Sequence, residues 1–205
     1  MRKYYFSIVS VLILLLSLIG FSDNLITDIG QESNRDPKFV IHGLILFLWM
    51  FIFVSQTNFI RQDNFKAHKS LGIVGMVVAV GVVISTWYIF ISNYSGWDNL
   101  TFYAKANRFF MTSFAILIFL AYRYRRVPDK HKRLILLANL LILEPLLSRS
   151  LGSLDISLLI TIPIVWNAFF LSLLVYDFVT LRKIHLISVL GIAWFYSVWA
   201  IAILL

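Results

Sequence analysis

Seven stretches of the chain are almost wholly apolar, about Tyr4–Phe21, Phe39–Ile60, Leu71–Ser92, Phe109–Tyr122, Arg133–Leu151, Ile156–Thr180 and Ile184–Leu205. Short polar segments carrying most of the charge separate them. A helix needs ~17–25 apolar residues to cross ~30 Å of hydrocarbon at 1.5 Å per residue. Each run approaches or exceeds that length, and the fourth does so if its helix begins near Ala104. The pattern predicts an all-α, polytopic membrane protein in which residues 1–205 form a single domain of seven transmembrane helices.

Composition supports this class. Of 205 residues, 60% are hydrophobic and 14% charged, against roughly 45–50% and 25% in an ordinary soluble domain. Cysteine is absent, which excludes disulfides, thiolate metal sites, iron–sulfur clusters and a cysteine nucleophile. The formal net charge of +8 raises nucleic acid as a partner, but nucleic-acid binding needs a basic face on a folded surface. Here the basic residues sit in short connectors, so the expected partner is the lipid bilayer and no nucleic acid. No P-loop, Gly-rich dinucleotide fingerprint or Gly-x-Ser-x-Gly elbow occurs. Met1-Arg2-Lys3 before the first run imitates a signal peptide, yet Phe21-Ser22-Asp23 is a poor cleavage site, so the run is kept as a helix.

Charge asymmetry sets the expected orientation. With the N-terminus inside, cytoplasmic segments hold most of the 18 basic residues, including Arg2, Lys3, Arg61, Lys66, Lys69, the Arg123–Arg133 cluster, Arg182 and Lys183. The outer side keeps Arg35, Lys38, Lys105, Arg108 and Arg149. Short cytoplasmic loops retain Lys and Arg, which predicts a cytoplasmic N-terminus and an outside C-terminus. Trp87, Tyr88, Tyr94, Trp97 and Tyr103 then mark an outer boundary, with Tyr122 and Tyr124 at the next inner one. In the third run Gly72, Gly75 and Gly81, with Ala79 and Ser85, suit close approach of a neighbouring helix. Gly72 is alternatively room for a flat ligand such as a porphyrin.

A charged group at the bilayer centre costs about 2.5–3.5 kcal/mol on insertion scales, so each polar side chain in a run is a candidate site. An outer group comprises His42, Arg108, Glu144 and Arg149. Glu144 lies about 20 Å along its helix from His131 and precedes Pro145, whose missing N–H frees the Leu141 carbonyl. Arg108 is its expected partner. The group reads as candidate catalytic machinery, an anion or quinone-headgroup site or a proton relay; equally it reads as a salt bridge fixing the bundle.

An inner group comprises Gln56, His68, His131, Asp177 and His185. Ala67-His68-Lys69-Ser70-Leu71 and Lys130-His131-Lys132-Arg133-Leu134 share a His-Lys pair ahead of a helix leaving the same face. That spacing predicts two imidazoles at matching depth, able to share one metal or haem iron. The plainer reading is two interfacial histidines beside lipid phosphates. In the second run His42, Trp49 and Gln56 recur at i, i+7 and i+14, nearly one line along the helix. Asn139 and Trp166-Asn167 extend this polar thread, with most of it expected to face the bundle interior.

Together, His42 with Trp49 and Gln56, His68-Lys69-Ser70-Leu71-Gly72, Arg108, His131-Lys132-Arg133-Leu134 and Arg149 resemble a group of bacterial multi-pass membrane proteins of unknown function. In that group a second helix carrying His is followed by H-[RK]-x-L-G, then by H-[RK]-R-L/W-M with a downstream Arg. The resemblance covers roughly Lys38 to Leu151, with Ile135 standing where Met is usual. It implies a bacterial inner (plasma) membrane location. Its histidines are similar in style to those of small b-type cytochromes. The leading expectation is a seven-helix inner-membrane protein of unassigned activity, whose first candidate chemistry is one haem b or metal held by His68 and His131. The alternatives are an enzyme or carrier for a lipid-soluble or anionic molecule, a quinone among them, using Glu144, His42, Arg108 and Arg149, and a structural or assembly subunit.

Overall fold

A computed structural model describes residues 3–152 and 157–205. Arg2 and the start of the sixth run at Ile156 lie outside the described residues. Among the described residues eight α-helices follow one another: α1 Tyr5–Gly20, α2 Pro37–Arg61, α3 Phe65–Ser92, α4 Phe102–Arg123, α5 Pro128–Leu141, α6 Glu144–Gly152, α7 Leu158–Leu181 and α8 Leu186–Leu204. Among the described residues there is no β-strand. The all-α reading therefore holds, and several helices are long and apolar enough for a multi-pass membrane protein.

The expected count of seven spans is not reproduced. Among the described residues five helices are long and apolar enough to cross a membrane, and up to six if α5 and α6 are taken as one broken span. The difference has two sources. The first run folds as α1 of only 16 residues, and the fifth is interrupted at Ile142–Leu143. Pro145 accounts for the interruption. It cannot donate to residue 141 and its ring crowds that carbonyl, so α5 stops at Leu141 and a new helix starts with proline in its first turn, where it is tolerated. The carbonyl of Leu140, which takes the Leu143 N–H at 3.4 Å at the stop, also accepts from Trp166 Nε1 at 2.9 Å. The fourth run, too short as an apolar stretch, is a full helix because it begins at Phe102 with Thr101 as cap, its side chain accepting from the Ala104 amide at 3.2 Å.

Contacts divide the chain into two compact units, Met1–Ile89 with Pro145–Ile162, and Phe90–Glu144 with Pro163–Leu205.

In the first unit, α2 and α3 run antiparallel after a tight turn in which Asp63 takes a left-handed φ of 58°. Their register is read from side chains that meet: His42 with Ser85, Ile45 over Gly81, Ile52 over Gly75 and Gln56 over Gly72. A Cβ on Gly75 would come within 3.1 Å of Ile52 and one on Gly81 within 3.4 Å of Ile45, whereas Gly72 would meet only the Gln56 amide at 3.7 Å. Gly75 and Gly81 are therefore the points of close helix approach that small residues permit; Gly72 is not. Helix α1 joins α2 through a hydrogen bond between Ser10 and Thr57 hydroxyls at 2.7 Å, and its Gly20 lies against the backbone of α6 at Leu146 and Ser150.

The second unit is built on α4, α5 and α8, which pack pairwise, with α7 alongside. Its centre is a cluster of rings: Phe110 stacks on Phe195 at 5.5 Å, and Trp166, Phe170 and Trp199 meet Phe195 edge-on. Packing is close enough that a Cβ on Gly191 of α8 would sit 2.5 Å from Leu137 of α5. In lipid no hydrophobic effect draws helices together, so such contacts and interhelical hydrogen bonds hold the unit. Trp194 Nε1 supplies one of these bonds, donating to Ser113 Oγ at 2.8 Å.

Candidate functional site

The candidate side chains fall in both units.

In the first unit, the stripe His42, Trp49 and Gln56 behaves largely as expected. Trp49 is buried, while His42 and Gln56 are half-buried and face α3. His42 Nδ1 lies 3.0 Å from Ser85 Oγ, which also reaches the Val82 carbonyl at 3.2 Å. With the hydroxyl proton directed to that carbonyl, the imidazole donates from Nδ1. Arg149 on α6 is exposed; its Nη1 donates to Asn24 Oδ1 at 2.8 Å and its guanidinium lies over the Phe21 ring at 5.4 Å. Asn24 is held in turn, its amide donating to Ser33 and to Asn34. Arg149 thus pins the loop ahead of α2. That helix starts at Asp36, which caps the Lys38 amide at 3.0 Å and pairs with the Lys38 ammonium at 3.1 Å. The capping bond from the Lys38 backbone chiefly holds the Asp36 carboxyl below its ordinary value.

At the other end of the same hairpin stand Gln56 and His68. Both amide atoms of Gln56 are buried without a hydrogen-bond partner, a state that ordinarily costs about 1–3 kcal/mol. They lie over Gly72, and half-buried His68, four residues before Gly72, shares that face of α3 one turn nearer the connecting turn. Because α3 begins at Phe65, six residues ahead of the apolar run, His68 is inside the helix rather than before it.

The second unit holds His131, Arg108 and Glu144. His131 Nδ1 lies 2.8 Å from the Ala121 carbonyl on α4; a carbonyl only accepts, so the proton sits on Nδ1. Glu144 is buried and accepts from Asn107 Nδ2 at 2.7 Å. Arg108, its expected partner, turns elsewhere, donating to the carbonyls of Ala104 at 2.8 Å and Phe90 at 3.4 Å and lying over the Phe90 and Tyr94 rings. The correction has a steric basis: a guanidinium near the start of α4 reaches carbonyls and aromatic faces within its own length. The neighbouring Asn107 is the residue that turns toward Glu144. Asn139 and Trp166 are buried as expected, but Asn167 is exposed and accepts from Tyr196 Oη at 2.6 Å.

One cluster was missed by sequence reasoning. Arg133, read above as an orientation charge, is completely buried, as is Asp177. Arg133 Nε donates to Asp177 Oδ1 at 2.8 Å and Nη2 donates to the same oxygen. Asp177 Oδ2 accepts from the His185 backbone N–H at 3.1 Å and from Ser188 Oγ at 2.6 Å. Arg133 Nη1 donates to the Asp129 carbonyl at 2.7 Å. This ties α5, α7 and the start of α8 at one point. His185 caps α8 with Nδ1 accepting from Ile187 N–H at 3.1 Å. Burial, then the positive charge of Arg133, holds its pKa below the ordinary 6.5. Depth in the run was the available signal: Arg133 and Asp177 stand at matching ends of two apolar stretches, and a buried charge demands a partner.

Among the described residues no three His, Asp or Glu side chains gather as a metal site. Compared with protein-family models, curated proteins and solved structures, the chain finds no match.

Proposed function

We propose that this multi-pass membrane protein binds a cofactor, one haem b or a metal ion, through His68, with Gln56 hydrogen-bonding the bound group. What carries this reading is the Gln56 amide, buried with neither its donor nor its acceptor satisfied. It lies over the one α3 glycine among Gly72, Gly75 and Gly81 that is not a close helix contact. Buried polar groups without partners are rare, and those that persist call for an explanation beyond packing. A neutral imidazole a turn away is a common ligand for iron, copper or zinc. A second ligand from His131 is proposed on the matching His-Lys motifs of the sequence alone; within its own unit, its Nδ1–H bond to a carbonyl is the kind that fixes the tautomer of a metal-binding histidine.

The test is the absorption spectrum and elemental analysis of the full chain purified in mild detergent. The expected result is a Soret band or a stoichiometric metal, lost in His68→Ala and in His131→Ala. A colourless, metal-free protein overturns the reading.

A second reading, an enzyme or carrier for an anionic or lipid-soluble molecule, is favoured by the His42–Ser85 pair at the opposite end of the α2–α3 hairpin. His42→Phe with unchanged transport and unchanged phenotype would remove it.

A further inference from the structure

We infer that the groove between α1 and α2 is a binding site for one anionic glycerophospholipid, with its phosphate on Arg61 and an acyl chain laid along α1. The groove has a volume of about 280 Å³. Its walls are Tyr4, Ile8, Val11 and Leu12 from α1, and the polar residues Ser7, Asn58 and Arg61 also line it.

Three observations select the occupant. First, the cation at its end is prepared for an anion. Arg61 Nε is spent on Asn58 Oδ1 at 3.1 Å and the guanidinium lies 5.8 Å from the Tyr4 ring centroid. This fixes the plane and leaves the two terminal nitrogens as a fork, the geometry that takes two phosphate oxygens together. Neighbouring Lys3 is engaged by Asp63 at 2.6 Å, so phosphate charge falls to Arg61. Second, Ser7 is 6% exposed, yet its hydroxyl has no hydrogen-bond partner. It lines the groove one turn deeper than Tyr4, where an ester carbonyl hangs beneath a lipid phosphate, and it can donate to one. Third, the apolar wall from Tyr4 to Leu12 runs about 12 Å along the helix, close to one leaflet of a ~30 Å hydrocarbon core. Ile8 and Leu12 are 57% and 45% exposed, an apolar surface that an acyl chain covers.

A free phosphate would satisfy Arg61 but neither Ser7 nor the apolar wall, and a partner helix would cover the wall but bring no phosphate to Arg61. The experiment is native mass spectrometry of the full chain after equilibration with equimolar phosphatidylglycerol and phosphatidylcholine, with inorganic phosphate as a separate arm. The expected result is one phosphatidylglycerol retained per chain with about tenfold preference, the size of one charge-assisted contact. In Arg61→Gln the preference falls to about onefold. In Val11→Trp, which fills the groove and leaves the charge, retention of either lipid is lost. Thermal unfolding of both variants checks that they are folded, and Val11 faces outward at 38% exposure, so its replacement leaves the interior untouched. Preference surviving in Arg61→Gln, lipid retained by Val11→Trp, displacement by millimolar inorganic phosphate, or a second polypeptide retained in place of lipid would each overturn the assignment.

Discussion

The two units treat their buried polar groups in opposite ways. In the second, Asp177 receives four hydrogen bonds from Arg133, His185 and Ser188, and the Leu140 carbonyl at the helix break accepts from both the Leu143 N–H and Trp166. In the first, the Gln56 amide and the Ser7 hydroxyl are buried and unsatisfied. Satisfied groups fix helices in place; unsatisfied ones cost stability that packing elsewhere must offset. The contrast locates architecture in the Arg133–Asp177 clamp and ligand chemistry in the α1–α2–α3 portion.

The largest expected effect breaks the clamp. Asp177→Ala leaves buried Arg133 with only the exposed Asp129 carboxylate, 3.5 Å away, as counter-charge, which costs up to about 3–5 kcal/mol, whereas the double replacement Arg133→Met with Asp177→Leu is close to neutral. Equilibrium unfolding in detergent distinguishes them. If the single variant is as stable as the wild type, the clamp is not what holds α5, α7 and α8. Next comes Gly191→Val, which overpacks the α5–α8 contact at Leu137 and is expected to cost about 1–3 kcal/mol. The same substitution at Gly72, where a Cβ has room, should be much milder in the same assay.

Gln56→Leu sharpens the comparison from the other side. In cofactor-free protein, removing an unsatisfied amide should raise the melting temperature, by the equivalent of about 1 kcal/mol or more, while in the loaded protein the same change should weaken the cofactor signal. A lower melting temperature would mean that Gln56 supports the fold. The smallest effect is pH dependence at His185. Its folded pKa lies below 6.5, so the unfolded chain takes up the proton first and stability falls as pH drops below 6.5, levelling off beneath the folded value. Protonation also removes the Nδ1 acceptor that caps Ile187. His185→Asn, which keeps a capping oxygen without a titrating ring, should flatten that part of the pH–stability curve measured by thermal melts.

Much of the fold was legible in the residues. Run length gave the helices because nothing but a helix satisfies a backbone in hydrocarbon, and Pro145 marked where one would fail. The outcome at the fifth run still differed in detail, since whether a proline kinks or stops a helix depends on what supports the backbone around the break. Here Trp166 donates to the Leu140 carbonyl, 26 residues away. The site was less legible for a related reason. Apolar runs fix depth, but rotation about each helix axis decides who meets whom, and a helix hydrophobic on all sides carries little record of rotation. Thus Arg108 was matched with Glu144 by depth although Asn107 turns that way. For the same reason Arg133 was counted with the loop charges although it is the most deeply placed cation of its unit. Where small residues broke the uniformity, at Gly75 and Gly81, the helix-contact face was readable.

The brevity of α1 has a consequence for the surrounding lipid. Sixteen residues span about 24 Å, several Å less than typical hydrocarbon, while α3 with 28 residues reaches about 42 Å and must lean or protrude. Crossing on α1 therefore means hydrophobic mismatch, met by local thinning at a fraction of a kcal/mol per Å. A bilayer crossed by α1 would be pinched at that helix, and short-chain lipids would collect there.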